Sequence, residues 1–123
     1  MKSNKEVLDE FGKKLINDCF DPSINHLIVL KQMEQVPLVY NDFSKLFKSL
    51  PEQDFLIMKR YLRENTEAVL FNFLKIFEEN EQFKLYFEEN EQKVNLVEIS
   101  EMLKAEPIIE NGWIERFSKF DQK

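Results

Sequence analysis

Apolar residues return every three or four positions along most of the chain, the spacing of one face of an α-helix. Val7, Leu8, Phe11, Leu15, Ile16 and Cys19 form the first such series; Ser3 or Asn4 can cap its start, and Asp21-Pro22 predicts its end. Pro22-Ser23 opens a second series through Leu27, Ile28, Leu30 and Met33, stopping before Pro37. Its apolar residues nearly surround the axis, which predicts a central or interfacial helix. Asn41-Asp42 then offers a cap for a short helix carrying Phe43, Leu46 and Phe47. From Pro51 to about Asn80, Phe55, Met58, Leu62, Val69, Leu70, Phe73, Leu74 and Phe77 keep helical spacing, as one helix or as two joined at Arg63-Glu64-Asn65-Thr66. Pro in the first turn, followed by Glu52, suits such a start.

After Asn80 the period changes. Phe83, Leu85 and Phe87 alternate with Lys84, Tyr86 and Glu88, Glu89-Asn90-Glu91-Gln92 reads as a turn, and Val94 and Leu96 alternate with Lys93 and Asn95. This predicts a β-hairpin at about 83–96, although the Asn-Gly or Asp-Gly turn signal is missing. Two strands alone are marginal, so the hairpin must lie against the helices. Val97 to Ala105 returns to helical spacing through Ile99, Met102 and Leu103, and a turn at Asn111-Gly112 precedes a short amphipathic segment. The whole predicts a mainly α (α+β) fold, a single-domain helical bundle of roughly five to seven helices with one small β-hairpin.

Composition supports one packed core. The 123 residues suit one domain, 43% are hydrophobic, and twelve Phe supply the bulk. Two Gly and four Pro are too few for the many turns of an all-β sandwich. No apolar run reaches the roughly 18 residues of a membrane-spanning helix, and the residues after Met1 lack a secretory apolar region. Cys19 has no second cysteine to pair with and is expected as a small buried hydrophobe. A cytoplasmic location is the simplest expectation.

Catalytic chemistry finds few supplies. His26 is the only histidine, so a nucleophile-base pair would have to use it, and no nucleophile elbow is present. One Cys and one His do not complete a usual zinc set, and Gly12 and Gly112 cannot form a phosphate-binding loop. No catalytic residue, metal site or cofactor is expected.

Carboxylates are the informative group. Of the formal net charge of −6, a local −5 falls between Glu78 and Glu91, where Glu78, Glu79, Glu81, Glu88, Glu89 and Glu91 face one base, Lys84. The plain reading is a solvated helix end and a solvated turn. Acids at a helix C-terminus oppose its dipole, however, and a concentrated negative patch speeds encounter with a basic protein while repelling nucleic acid. Calcium or magnesium is the rival ligand, but Glu78-Glu79-Asn80-Glu81 lacks the pattern of an EF-hand loop. Trp113 is either a core residue or, if exposed, a contact anchor, and Tyr86 on the polar side of the first strand has the same two readings.

The segments Phe83-Lys84-Leu85-Tyr86-Phe87, Val94-Asn95-Leu96-Val97-Glu98-Ile99-Ser100 and Asn111-Gly112-Trp113-Ile114-Glu115-Arg116-Phe117-Ser118 resemble a group of small uncharacterised bacterial proteins. The resemblance covers the last third of the chain and implies no functional residues. In size and charge alone the chain resembles bacterial toxin-immunity proteins, which implies a basic toxin as partner. The leading expectation is therefore a small acidic protein-binding module of immunity or inhibitor type, with no nucleic-acid or membrane partner. Its contact residues would be Glu78, Glu79, Glu81, Tyr86, Glu88, Glu89, Glu91 and Trp113. The alternatives are a structural or oligomerising protein, joined through the second helix or the Trp113 tail, and a hydrolase working with carboxylates alone.

Overall fold

Ser3 sets the first helix. Its hydroxyl accepts from the Glu6 N–H while the Glu6 carboxylate accepts from the Ser3 N–H, a reciprocal cap that starts α1 (Asn4–Leu15). The Ser3 N–H first, and then the Ser3 hydroxyl, hold the Glu6 carboxyl below its ordinary pKa. In a computed structural model of the chain, which describes residues 1–120, the helix does not stop at Asp21-Pro22 as the sequence suggests. It widens into one π-helical turn (Ile16–Phe20) and continues as α2 (Asp21–Gln32). In an unbroken α-helix the Pro22 ring would meet the Asp18 carbonyl and offer it no N–H. The wide turn, closed by the Asp21 N–H on the Ile16 carbonyl, removes both conflicts. It also explains Cys19, expected inside and found exposed: Phe20 takes the inward place that Cys19 would hold in regular α-helix.

Two long antiparallel helical units form the body. A 3-10 turn (Leu38–Tyr40) and α3 (Asn41–Ser49) lead from α2 to α4 (Glu52–Glu79), which runs unbroken through Arg63–Thr66. α3 is tied to α2 by the buried Ser44 hydroxyl, which donates to the Leu30 carbonyl at 2.7 Å. Along the α2–α4 seam, Lys31 pairs with Glu52 at 2.5 Å and lies over the Phe55 ring, and farther on the Ser23 and Thr66 hydroxyls meet at 3.4 Å.

The C-terminal third closes the core at the other end. Strands β1 (Tyr86–Glu89) and β2 (Gln92–Asn95) pair antiparallel, Phe87 opposite Val94 and Glu88 opposite Lys93. The hairpin is real but shorter than predicted. Phe83 and Leu85 precede it, and its loop is two residues, Asn90 and Glu91, both at positive φ (48° and 67°). Gln92 clamps the hairpin to the N-terminus, its amide exchanging two hydrogen bonds with the Lys2 backbone.

The predicted helix from Val97 to Ala105 is broken. α5 (Leu96–Ile99), capped by Asn95, ends at Ser100, and a 3-10 turn (Leu103–Ala105) follows. A continuous helix would need the Lys104 N–H to bond the Ser100 carbonyl, but the Glu78 carboxylate takes that N–H at 2.5 Å. α6 (Trp113–Phe117) then docks on α1.

The core gathers Val7, Ile16, Phe20, Leu70, Leu74, Leu96, Leu103, Trp113 and Ile114. At its centre the Trp113 indole, 0% exposed, lies against the Gly12 backbone and meets the Phe11 ring edge-on at 5.8 Å. A Cβ at position 12 would lie 2.4 Å from the ring. Gly112 answers a second close approach, since a Cβ there would lie 2.4 Å from the Glu106 carbonyl oxygen. Two carboxylates of the first helical unit hold the tail. Asp9 pairs with Arg116 at 2.9 Å, and the buried Asp21 accepts from the Ser118 hydroxyl at 2.6 Å and the Lys119 N–H at 2.9 Å.

Gly12→Ala is expected to destabilise the protein by about 2 kcal/mol through overpacking. In an ordinary helix interior the same change gains roughly 1 kcal/mol. Urea denaturation followed by the fluorescence of Trp113 measures the difference, and a variant as stable as the parent would show that the indole can move aside.

A second expectation concerns pH. The Arg116 guanidinium, with Lys5 assisting, holds the Asp9 carboxyl below its ordinary pKa. The unfolded state therefore binds the Asp9 proton more readily, and the pair stabilises the fold above the ordinary Asp range and is lost as pH falls through the lowered value. Asp9→Asn should cost about 1 kcal/mol at neutral pH and progressively less in acid. Denaturation midpoints of both proteins across that range provide the check.

Candidate functional site

The six acids between Glu78 and Glu91 do not form one free patch. Glu78, at the end of α4, accepts the Lys104 N–H and lies 3.9 Å from the Lys104 ammonium; Glu79 is 3.9 Å from both Lys75 and Lys104. These contacts answer the unfavourable dipole at that helix end. Glu89 is paired with Lys2 at 3.1 Å. Lys2 also bonds Glu10 at 2.5 Å, and these two carboxylates, Glu10 first, raise the Lys2 pKa. Half of the acids thus serve to fasten the fold. Glu81, Glu88 and Glu91 are exposed, and none makes an ion pair among the described residues.

Tyr86 is exposed as the alternation of the strand predicts, its ring covered on one side by the Lys93 ammonium at 4.6 Å. It borders an apolar hollow of about 240 Å³ between α1 and the hairpin, walled by Phe11, Leu85, Phe87 and Leu96 with Glu10 and Lys14 at the rim. Trp113, a candidate contact residue, is corrected: wholly buried on Gly12, it cannot touch a partner. Among the described residues its Nε1 has no hydrogen-bond partner, so packing holds the indole there.

A larger surface escaped the sequence reading. Leu38 and Val39 on the 3-10 turn, Phe43 and Leu46 on α3, and Leu56, Ile57, Tyr61, Val69, Phe73 and Ile76 on α4 are all exposed. Leu70 and Leu74 take the core side of α4, leaving Val69 58%, Phe73 49% and Ile76 42% exposed beside them. The signal was present as an apolar arc on α4 wider than one core-facing stripe needs. Next to it, α2, α3 and α4 enclose a hollow of about 390 Å³ walled by Leu27, Leu30, Phe43, Phe47 and Leu62. His26 and Tyr40 also line this hollow, ring edge to ring face at 4.8 Å.

The hollow beside the hairpin holds one carboxylate, Glu10, and the depression between α2 and the tail holds one, Asp21, already bonded to Ser118 and Lys119. The carboxyl shifts described above, at Glu6 and Asp9, are both downward, opposite to what a general acid requires. Among the described residues no three His, Cys, Asp or Glu side chains are grouped as a metal ion would require, and no helix is long and apolar enough to cross a membrane. No protein-family model matches the chain, and no curated protein and no solved structure shows significant similarity to it.

The hairpin loop gives a direct test of the local geometry. Glu91 sits at φ 67°, where an L side chain costs roughly 1–2 kcal/mol and Gly costs nothing sterically. Glu91→Gly should raise stability by about 1 kcal/mol, part of the gain being offset by the added freedom of the unfolded chain. A thermal melt that shifts downward would show that the loop does not need this backbone conformation.

Proposed function

We propose that the protein is a binding module that acts by docking onto another protein chain. The observation that carries this reading is the concentration of exposed apolar side chains along α3 and α4. Exposed apolar side chains concentrated on neighbouring elements often mark an interaction site. Aromatic residues such as Phe43, Tyr61 and Phe73 are also the usual anchors of interfaces. The experiment is quantitative affinity measurement with any captured partner, comparing the parent with Leu46→Glu/Phe73→Glu. Both residues are exposed, so the variant should keep its helical circular dichroism while binding falls at least about a hundredfold. Undiminished binding would reject this face.

A second reading, an inhibitor or immunity protein for a basic toxin, is favoured by Glu81, Glu88 and Glu91. These three exposed acids can steer a basic partner toward the hairpin, with Tyr86 and the adjoining hollow ready to receive an apolar side chain. Reversing them to Lys should slow association with such a partner and remove the salt dependence of the rate, whereas Glu89, already paired with Lys2, is the internal control. Association rates that do not respond to the triple reversal would remove the acids from the mechanism.

A further inference from the structure

Strand β1 is a free edge of the hairpin, and its register fixes which backbone groups face outward. The Leu96 N–H bonds the Leu85 carbonyl at 2.9 Å, so Leu85 with Leu96 and Phe87 with Val94 are the pairs that exchange hydrogen bonds across the ladder. Tyr86 and Glu88, in the alternate positions, turn their N–H and C=O groups away from β2. Among the described residues no backbone group outside the hairpin bonds either of them. The edge of β2 is not equivalent: Asn95 is buried, its side chain caps α5, and the chain enters that helix at Leu96.

We infer that the β1 edge receives an extended segment of a partner protein, added antiparallel as a third strand, with a basic, an apolar and a second basic residue opposite Glu88, Phe87 and Tyr86. The inference rests on the second reading above, a basic partner at the hairpin, and names the form in which that partner binds. Three observations select this occupant. First, the outward N–H and C=O groups of Tyr86 and Glu88 are a template for another strand, and antiparallel pairing is the stronger geometry.

Second, the hollow beside the hairpin lies under the position of the added strand. Successive side chains of a strand face opposite ways, and residues directly opposite one another share a face. A residue opposite Phe87 therefore faces the hollow of about 240 Å³ walled by Phe11, Leu85, Phe87 and Leu96. The charges at its rim are already paired, Glu10 with Lys2 and Lys14 with Asp18, which leaves an uncharged place for one apolar side chain.

Third, the charge carried by the edge is negative. Glu88 is exposed and makes no ion pair among the described residues. Of the nearby bases, Lys84 precedes the strand, and Lys93, across the ladder from Glu88, lies over the Tyr86 ring at 4.6 Å instead. A Lys or Arg on the added strand gives Glu88 the cross-strand partner it lacks, and an Arg opposite Tyr86 meets an exposed ring. Glu91 in the loop favours the same sign, whereas Glu89 is taken by Lys2. An acidic strand, such as a second β1, meets Glu88 with like charge.

The probe is the end-capped peptide Ser-Thr-Arg-Ile-Arg-Thr-Ser, titrated into the isotope-labelled full chain and followed by nuclear magnetic resonance. Saturable binding is expected, with the Tyr86 and Glu88 amides shifted and protected from hydrogen exchange. Replacing both Arg of the peptide by Glu should weaken binding at least about tenfold. Glu88→Lys, at an exposed position, should abolish or reverse that difference with circular dichroism unchanged. An antiparallel strand bonds through the N–H groups of its two Arg, so methylating those nitrogens should weaken binding at least about tenfold and methylating the Ile nitrogen should not. Sensitivity at the Ile nitrogen alone overturns the antiparallel pairing, and a basic preference that survives Glu88→Lys overturns the role of Glu88. No saturation by millimolar peptide overturns strand addition, while steering by the acids is judged separately by the association rates of the triple Lys variant. Protection of the same two amides in the chain alone, as its concentration rises, gives the edge to a second copy and overturns the partner strand.

Discussion

The indole of Trp113 rests on the bare backbone of α1 at Gly12, and the arrangement of everything after α4 depends on that contact. A helix interior is a poor place for glycine unless something must come closer than a Cβ permits. Here the approach lets the largest side chain of the protein enter the core flat against a helix, bringing α6 with it. Asp9–Arg116 and Asp21–Ser118 flank the contact along the same helical unit, and Gln92 fixes the hairpin to its N-terminal end. The unpaired Trp113 Nε1 is tolerated within this packing, whose apolar burial outweighs the roughly 1–3 kcal/mol of an unsatisfied donor.

Much of this fold was legible in the chain because the helices follow local rules. Ser3 and Glu6 announce the first cap, Pro51 the start of α4, and the change of period after Asn80 the hairpin. What escaped depends on partners distant in sequence. Nothing near Ser100 shows that the Lys104 N–H will be claimed by Glu78, which breaks the expected helix. Nothing near Glu89 shows that strand pairing will be tight enough to force Asn90 and Glu91 into left-handed backbone without a glycine. Asp21-Pro22 has the form of a helix stop, and only the wide turn behind it, with Asp21 buried against Ser118, carries the helix through.

The candidate surfaces were legible to a lesser degree, for a related reason. A run of acids shows charge but not the cations that fold onto it, so Lys2 and Lys104 convert half of the apparent patch into fastening points. Apolar spacing, conversely, shows which residues can face a core but not how much core there is to cover them. On the C-terminal half of α4 the neighbours occupy the Leu70–Leu74 side, and Val69, Phe73 and Ile76 are left outside. Trp113 illustrates the same limit from the other direction: its placement was decided by an absent side chain a hundred positions earlier.

That separation has a consequence for how the chain must be made. Gly12 leaves the ribosome long before Trp113 is synthesised, and at 5–20 residues per second the interval is roughly 5–20 s. Throughout it the α1 surface that will carry the indole stands open, with Val7, Ile16 and Phe20 around it. Helices form far faster than this, in microseconds or less. The first helical unit therefore waits with an unfilled socket, joined by α4 only in the last part of the interval, and the length of its exposure is set by elongation speed and not by the rate of helix formation.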